Sequence, residues 1–160
     1  MTFTNTQMDA NKAVESFKSL DIDTQLALLW FAYEKMGSSI TPAAPGSAGA
    51  DIAEGLYNQV KELSHEEQLD VQRNLLQGQN TQLSREYGSL SDNTKLLFWY
   101  RLAQGMETEE IVPVPEDYDF PESGSQLLGT LESMEFEQQI TFLRNVVTDS
   151  GSEPQSGAEV

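Results

Sequence analysis

The residues best suited to act on a ligand are four aromatic side chains in two similar segments. Trp30 and Tyr33 belong to the first segment, and Trp99 and Tyr100 belong to the second. Each side chain combines a broad apolar ring with one polar atom. The pattern alone leaves two interpretations open. The rings either fill a core or form the walls of a pocket for an extended apolar ligand.

Acid-base, nucleophilic and metal chemistry find little support in the sequence. Cysteine is absent and histidine occurs once, as His65, so a transition-metal site would need a carboxylate cluster. Asp117 and Asp119 resemble part of a calcium-binding loop, but the rest of that pattern is missing. No glycine-rich phosphate loop or nucleophile elbow occurs. The sequence therefore predicts that the protein is not an enzyme and holds no metal.

Two strongly apolar helices are predicted to carry the four rings. The first, over 22–36, is apolar on nearly all sides, and its run is too long and too free of alternation for a strand. Gly37 is expected to end it as a C-cap, and the prolines that follow predict a loop over 38–49. The second helix is capped by Ser91 and runs through 92–103. Helices of this kind must be buried between layers or contact an apolar guest.

Helical periodicity and turn residues divide the rest of the chain into further helices. Ser64 begins one of them with a capping box, because Glu67 follows three residues later. Phe136 is expected on the buried face of the last helix. We expect one helical domain over 1–149 and a disordered acidic tail over 150–160. The remaining predicted segments are helices at 8–18, 50–62, 65–77, 80–87, 123–132 and 135–149, an extended break at 112–115 and an acidic loop at 116–122.

The charge of the chain restricts its partners. Twenty-six acidic and nine basic residues give a net charge of −17, which disfavours nucleic acid and anionic membrane surfaces as partners. No apolar run approaches the length of a membrane span, and the first 18 residues lack the pattern of a signal peptide. The sequence therefore predicts a soluble cytoplasmic protein that does not insert into membranes.

The chain also contains a weak internal repeat. An aspartate precedes each tryptophan by seven residues, and a glutamine followed five residues later by Arg-Asn recurs in each half, with offsets of 69 and 71. Either chance or a duplicated helical half explains this match. A duplication predicts two halves packed face to face, with the tryptophan helices near the middle. The repeated residues are Asp23, Trp30, Gln68, Arg73 and Asn74, then Asp92, Trp99, Gln139, Arg144 and Asn145.

Five segments of the chain form a recognisable pattern: Gln25–Tyr33, Ala43–Gly46, Asn93–Tyr100, Val112–Pro115 and Gln138–Asn145. Together they resemble a known family, the N-terminal domain of the cyanobacterial orange carotenoid protein. The similarity runs from about residue 14 to 150 in one consistent register, and the C-terminal sensor domain of that family is missing. The chain therefore looks like a stand-alone helical carotenoid protein.

The resemblance implies an all-α fold of two interleaved four-helix bundles, with a carotenoid tunnel between them. It also implies that a keto-carotenoid (canthaxanthin, echinenone or 3'-hydroxyechinenone) is bound there without a covalent bond. The carotenoid-binding residues expected from the resemblance are Leu26, Leu29, Trp30, Tyr33, Met36, Leu96, Trp99, Tyr100, Val114, Tyr118, Ile140, Thr141 and Arg144.

The function implied by the resemblance is photoprotection, chiefly the quenching of singlet oxygen, which needs no acid, base or metal from the protein. The alternatives are a quencher that docks on the phycobilisome and a carotenoid carrier, with a carrier resembling the missing C-terminal domain as a further partner. Docking on the phycobilisome would require a basic surface around Arg144. The net charge of −17 disfavours such a surface. The same resemblance implies that the protein is located in the cytoplasm near thylakoids and phycobilisomes.

One departure from the family pattern falls inside the expected tunnel. Where the family has a Met-Cys pair, this chain has Gln72-Arg73. A polar Gln72 side chain that faces a carotenoid needs a hydrogen-bond partner, or it must turn away from the tunnel.

Overall fold

The computed structural model describes residues 10–43, 47–115 and 118–151, and within these ranges it leaves out the side chains of 36–43, 47–50 and 149. The described part contains eight α-helices and no strand, which confirms the predicted all-α class. The helices are α1 Ala10–Lys18, α2 Ile22–Ala43, α3 Ser47–Lys61, α4 His65–Gln77, α5 Gln82–Gly88, α6 Asp92–Glu107, α7 Glu122–Ser133 and α8 Phe136–Asp149.

The predicted helix starts are confirmed where a side chain caps the first turn. Ser64 accepts a hydrogen bond from the Glu67 amide while the Glu67 carboxylate accepts from the Ser64 amide, which completes the capping box of α4. The Ser91 hydroxyl accepts from the Thr94 amide at the start of α6. Each cap satisfies backbone donors that have no partner within the helix.

The predicted end of the first aromatic helix is wrong. Helix α2 continues through Gly37 to Ala43, and α3 begins at Ser47, so most of the loop expected over 38–49 is helical. Of that predicted loop, 44–46 lie outside the described residues. A glycine inside a helix costs only about 1 kcal/mol relative to alanine, and Pro42 falls in the last turn of α2. Neither residue therefore ends the helix where the sequence pattern suggested.

The eight described helices form two bundles of four. Helices α1, α2, α7 and α8 form one bundle and α3 to α6 form the other, with contacts of α2 to α4 and α6, and of α6 to α8, joining the two. The chain enters the first bundle, completes the second and then returns to the first. The expected interleaved arrangement is therefore present, with the two tryptophan helices, α2 and α6, packed against each other.

This interleaving corrects one form of the repeat hypothesis. The two halves do not pack as separate bundles, because α2 of the first half packs against α7 of the second, and α6 of the second half packs against α3 of the first. Equivalent contacts nevertheless recur in the halves. The Arg73 guanidinium contacts Asp23 in the first turn of α2, and Arg144 Nη2 lies 3.4 Å from Asn93 Oδ1 in the first turn of α6.

The ends of the predicted domain differ in detail from the structure. Ser150 and Gly151, which the sequence assigns to the tail, contact the domain: the Gly151 amide donates to the Leu75 carbonyl over 2.7 Å. The rest of the predicted tail, 152–160, lies outside the described residues. Phe136 was predicted to be buried, but 45% of its surface is exposed. It is the first residue of α8, directly after the N-cap residue Glu135.

Candidate functional site

The two tryptophan helices meet across a small cavity between the bundles. Trp30 and Tyr33 of α2 line it from one side and Trp99 of α6 lines it from the other, and its volume is about 10 Å³. We call this narrow space between the two indole-bearing helices the aromatic slot. Its full lining is Leu26, Leu29, Trp30, Tyr33, Gln72, Trp99, Ala103 and Met106.

A larger cavity of about 240 Å³ adjoins the small one. Helices α2, α4 and α6 form three of its sides, and the segment 112–115 with Tyr118 forms the fourth. Leu26, Gln72 and Met106 line both cavities, so the two spaces are adjacent parts of one passage. The lining of the larger cavity is Asp23, Leu26, Ala27, Leu69, Gln72, Arg73, Met106, Val112, Pro113, Val114, Pro115 and Tyr118.

Trp99 is held in place by a chain of two hydrogen bonds. Its Nε1 donates to the Tyr87 hydroxyl over 2.8 Å, and that hydroxyl donates to the Val147 carbonyl over 2.6 Å. Phe98 packs edge-on against both rings, with centroid distances of 5.6 Å to Tyr87 and 6.1 Å to Trp99. Burial raises the pKa of Tyr87 well above its usual range, so the phenol stays protonated and can both accept and donate. Trp99 is therefore a fixed wall.

Tyr33 is oriented by the opposite helix. Its hydroxyl donates to the Leu96 carbonyl of α6 over 3.2 Å, and its ring lies 6.5 Å from that of Tyr100 at an angle of 32°. Burial raises the pKa of Tyr33 far above its ordinary value. A neutral phenol with its polar atom occupied presents only its apolar ring to the passage.

One glutamine of α4 holds the non-helical wall of the larger cavity. The Gln68 side chain donates from Nε2 to the Glu110 carbonyl over 3.0 Å and accepts from the Val112 amide over 2.8 Å. Beyond this anchor, each proline of the Val-Pro-Val-Pro segment disfavours helix in the residue before it. The predicted break in helical structure over 112–115 is confirmed. Its valines and prolines thereby face the cavity.

Polar groups gather at the outer end of the larger cavity. The carboxylate of Asp23 accepts two hydrogen bonds from the guanidinium of Arg73, over 2.9 and 3.1 Å, and these side chains are roughly one-third to one-half exposed. The Asp23 carboxylate raises the pKa of the Arg73 guanidinium. Nearby, the hydroxyls of Tyr118 and Thr24 share a hydrogen bond of 3.2 Å. The passage thus runs from a polar mouth to an aromatic interior.

The structure brings together seven of the thirteen predicted site residues. Leu26 lines both cavities, the small cavity adds four of the predicted residues, and Val114 and Tyr118 line the larger one. The small-cavity residues are Leu29, Trp30, Tyr33 and Trp99.

Five of the other six predicted residues line neither cavity in the described structure. Met36 belongs to α2, but its side chain lies outside the described residues. Leu96 and Ile140 are buried in the core, and Tyr100 is half-buried beside Tyr33. Thr141 is exposed and donates to the Glu137 carbonyl, and Arg144 lies near Asn93. A role for these six in ligand binding remains a prediction.

Sequence reasoning missed Leu69 among the lining residues, and it placed Gln72 and Arg73 there only through the family resemblance. Leu69, Gln72 and Arg73 follow the three- and four-residue spacing that places side chains on the same side of a helix. That spacing was available in the sequence as a signal. Ala27 and Ala103 carried no such signal, because small apolar residues occur on every buried helix face.

The described ranges offer no alternative site for metal chemistry. No group of three or more His, Asp or Glu side chains within them is placed to hold an ion. His65 is exposed, and its Nε2 lies 3.2 Å from the Glu109 carbonyl oxygen. Across the same residues, no helix is both long enough and apolar enough to cross a bilayer.

Comparison with known proteins decides the family. Residues 4–153 match the family model described as the N-terminal part of the orange carotenoid protein. The chain belongs to this family. It is 56% identical over 138 residues to an orange carotenoid-binding domain-containing protein of Nostoc sp., an alignment that covers 86% of this chain and 81% of that protein.

Relatives that contain a further region are matched over part of their length. The orange carotenoid-binding protein of Synechocystis sp. is 39% identical over 138 residues, which are 86% of this chain but only 44% of that protein. The chain thus spans less than half of this longer relative. The orange carotenoid N-terminal family therefore includes both short and long members.

Solved structures of the family share the fold. The red carotenoid protein of Anabaena (Nostoc) sp., solved binding canthaxanthin, has a TM-score of 0.81 and 51% identity, with coverage of 90% of this chain and 99% of that one. The orange carotenoid protein of the same organism, also solved binding canthaxanthin, has a TM-score of 0.81 and 37% identity, with coverage of 95% and 49%.

Proposed function

We propose that this protein binds a keto-carotenoid without a covalent bond and uses it for photoprotection, chiefly by quenching singlet oxygen. The observation that carries the proposal is the passage between α2, α4 and α6, whose interior walls are the rings of Trp30, Tyr33 and Trp99. Relatives of the same fold, at 51% and 37% identity, bind canthaxanthin. The function would be exercised in the cytoplasm beside thylakoids and phycobilisomes.

The side chains of the passage suit a long hydrocarbon. Leu26, Leu69 and Met106 supply apolar contact, and methionine adapts to irregular shapes. The aromatic walls present flat faces, and the polar atoms of Tyr33 and Trp99 are already hydrogen-bonded to the protein. Polar groups that are satisfied by the protein need no partner on the ligand. The charged pair Asp23–Arg73 stands at the mouth, away from the aromatic slot.

The passage has room for only part of a carotenoid. Side chains must move to create the space that the rest of the molecule needs. Pockets for compact, drug-sized ligands measure about 300–1,000 Å³, whereas the cavities here measure about 240 and 10 Å³. The aromatic rings on the two sides of the aromatic slot therefore have to move apart to admit a long polyene. Trp30 is half-buried, whereas Trp99 is buried and hydrogen-bonded. We therefore propose that Trp30 is the wall that moves to admit the ligand.

The photochemistry belongs to the pigment, and the chain sets its surroundings. A bound carotenoid supplies a conjugated chain that takes up the excitation of singlet oxygen and releases it as heat. The protein's part is to bind the polyene, to fix its conformation between the rings and to keep bulk water away from it. None of these tasks requires an acid, a base or a metal from the chain, which agrees with a non-enzymatic function.

The proposal is tested by producing the chain in bacteria that synthesise canthaxanthin. We expect a coloured protein whose visible absorption is shifted from that of the free pigment. The decay of singlet-oxygen emission in the near infrared should be faster with the pigmented protein than with the same concentration of apoprotein. A colourless purified protein would contradict carotenoid binding, and an unchanged decay would contradict the quenching role.

Docking on phycobilisomes and delivery of carotenoid to another protein are the competing functions. The net charge of −17, with nine cations in the chain, opposes docking that depends on a basic face. We therefore favour singlet-oxygen quenching. Fluorescence of isolated phycobilisomes, measured with and without the pigmented protein at low salt, separates the two quenching roles. Strong loss of that fluorescence would reverse our preference, and transfer of the pigment to a second family member would support the carrier role.

A further inference from the structure

An unpaired amide lies inside the passage. Gln72 of α4 lines both cavities, and its side chain is buried, with 1% of its surface exposed. Its Nε2 has no hydrogen-bond partner among the described residues. The other buried glutamine of the same helix, Gln68, uses its amide to bind the backbone at Glu110 and Val112. Gln72 is therefore the glutamine of α4 whose donor remains available to a ligand.

The surroundings of Gln72 do not supply an acceptor. In the small cavity, its neighbours in the lining are leucine, alanine and methionine side chains together with Trp30, Tyr33 and Trp99. The hydroxyl of Tyr33 already donates to Leu96. In the larger cavity, the Asp23 carboxylate binds the guanidinium of Arg73. A buried donor without a partner is unfavourable, so an acceptor that enters the passage and pairs with Nε2 gains binding free energy from that hydrogen bond.

We propose that Gln72 donates a hydrogen bond from Nε2 to the keto oxygen of a carotenoid end ring, and so selects keto-carotenoids. This inference rests on the proposed function. The polyene is hydrocarbon and cannot accept a hydrogen bond of this kind, whereas a carbonyl on the end ring can. The hydrogen bond would therefore both discriminate among pigments and set the depth at which the ring stops, between the larger cavity and the aromatic slot.

The inference gives a ranking of ligands and an orientation. Canthaxanthin carries a carbonyl on each ring and can enter from either end. Echinenone carries one, so its keto ring should lie at Gln72 and its plain ring should point away. β-Carotene has no oxygen and leaves the amide unpaired. A site built to hydrogen-bond a ligand rejects the analogue that lacks the group more strongly than an apolar site does.

The test compares the native chain with Gln72→Leu and Gln72→Met, and uses Gln82→Leu as the matched control. Gln82 is an exposed glutamine of α5 that lines neither cavity, and its Nε2 donates to the Glu86 carboxylate. Each apoprotein is incubated with an equimolar mixture of canthaxanthin and β-carotene, and the bound pigments are extracted and quantified. We expect the native chain and Gln82→Leu to favour canthaxanthin about tenfold more than the Gln72 variants do, a factor equal to about 1.4 kcal/mol.

A vibrational measurement gives an independent readout. The carbonyl stretch of bound canthaxanthin should lie at lower frequency in the native chain and in Gln82→Leu than in Gln72→Leu, because a hydrogen bond weakens the C=O bond. Circular dichroism shows whether each variant is folded. An apolar residue of similar size at an unpaired buried amide should not destabilise the fold, and the second variant replaces the first if one of them fails.

The outcomes separate this inference from the proposed function. If the native chain binds neither pigment, carotenoid binding itself fails. If it binds canthaxanthin but the Gln72 variants keep the same pigment ratio and carbonyl frequency, the role of Gln72 is overturned while the proposed function stands. Loss of the preference in Gln82→Leu as well would show that the preference does not depend on the amide at position 72, and would also overturn the inference.

Discussion

The carboxylate of Asp23 and the guanidinium of Arg73 form a two-point ion pair at the mouth of the passage, with N–O distances of 2.9 and 3.1 Å. The pair joins the first turn of α2 to α4, and so joins the two bundles. Its side chains are 46% and 35% exposed, which places it in water and allows salt to screen it. We expect it to fix the mouth more than to stabilise the fold.

The first prediction follows from that exposure. Asp23→Ala should lower the free energy of unfolding by less than about 1 kcal/mol, and the loss should shrink as salt is added. Urea unfolding at low and high ionic strength measures both effects. Glu132→Ala is the matched control, because it breaks the exposed Lys35–Glu132 pair, at 3.4 Å, outside the passage. A loss of several kcal/mol at high salt would show that the pair is more than a surface contact.

The second prediction concerns the aromatic walls. Trp30→Ala should change the visible absorption of the pigmented protein, because the indole lines the slot. Phe136→Ala should leave the spectrum unchanged, because that ring is 45% exposed and lines neither cavity. Spectra of both variants, produced with the same pigment, make the comparison. Identical shifts in the two variants would count against Trp30 as a wall of the site.

The third prediction distinguishes the two indoles by stability. Trp99 is buried and donates to Tyr87, so Trp99→Ala should cost about 3–5 kcal/mol, as removal of a large buried aromatic side chain does. Trp30→Ala should cost less, since Trp30 is half-buried. Chemical denaturation of the two apoproteins measures the difference. Equal losses would contradict the assignment of Trp99 as the fixed wall and Trp30 as the movable one.

The fourth prediction is a loss of stability in alkali. Burial, aided by the hydrogen bond to Glu110, raises the pKa of Tyr57 from 10.0 to about 12, and burial also raises the pKa values of Tyr33 and Tyr87. The folded state therefore holds these phenolic protons more tightly than the unfolded state does. Their contribution is complete below a pH of about 10, the unfolded pKa, and is lost progressively as the pH rises towards the folded values.

Denaturant midpoints measured across this alkaline range test that sign. Below a pH of about 10, the titration of these tyrosines should not change the free energy of unfolding of the native chain. Above that pH, the free energy of unfolding should decrease. Tyr57→Phe should flatten part of the alkaline decline, because it removes one of the titrating groups. A stability that rises with pH in this range would refute the assignment of these tyrosines as buried neutral phenols.

The fifth prediction uses two glycines in different surroundings. A methyl group at Gly105 of α6 would overlap the Tyr57 hydroxyl and come within 2.6 Å of Ile111 Cγ1, and Tyr57 cannot readily withdraw because Glu110 and Arg101 hold it. Gly105→Ala should therefore destabilise the protein by about 1–3 kcal/mol. Gly129→Ala, with nothing within 4 Å, should instead stabilise α7 slightly. The two unfolding free energies should move in opposite directions.

The parts of the fold that were predictable depend on neighbours in sequence. Ser64 and Ser91 identify helix starts because a cap is a contact within one turn. The end of α2 was not predictable from Gly37, because the energy of a single glycine is small beside the packing of a helix that is buried on most sides.

At the candidate site, too, features that depend on local sequence were predictable and features that depend on helix packing were not. The aromatic rings of Trp30, Tyr33 and Trp99 were identified by residue type and helical spacing. The positions of Thr141 and Arg144 depend on how α8 is rotated against α6, which no local pattern in α8 determines. The exposure of Phe136 follows from the same rotation and from its place at the helix start.

The order in which the helices enter the bundles affects synthesis. Helix α2 leaves the ribosome early, but α7 and α8, which complete its bundle, are made last. Its apolar surface therefore stays uncovered through most of translation, and protein segments in that condition are prone to aggregate. The Tyr87 hydroxyl that holds Trp99 in place is itself hydrogen-bonded to the Val147 carbonyl of α8, so we expect the wall at Trp99 to become fixed, and a pigment to be held firmly, only after α8 has been synthesised.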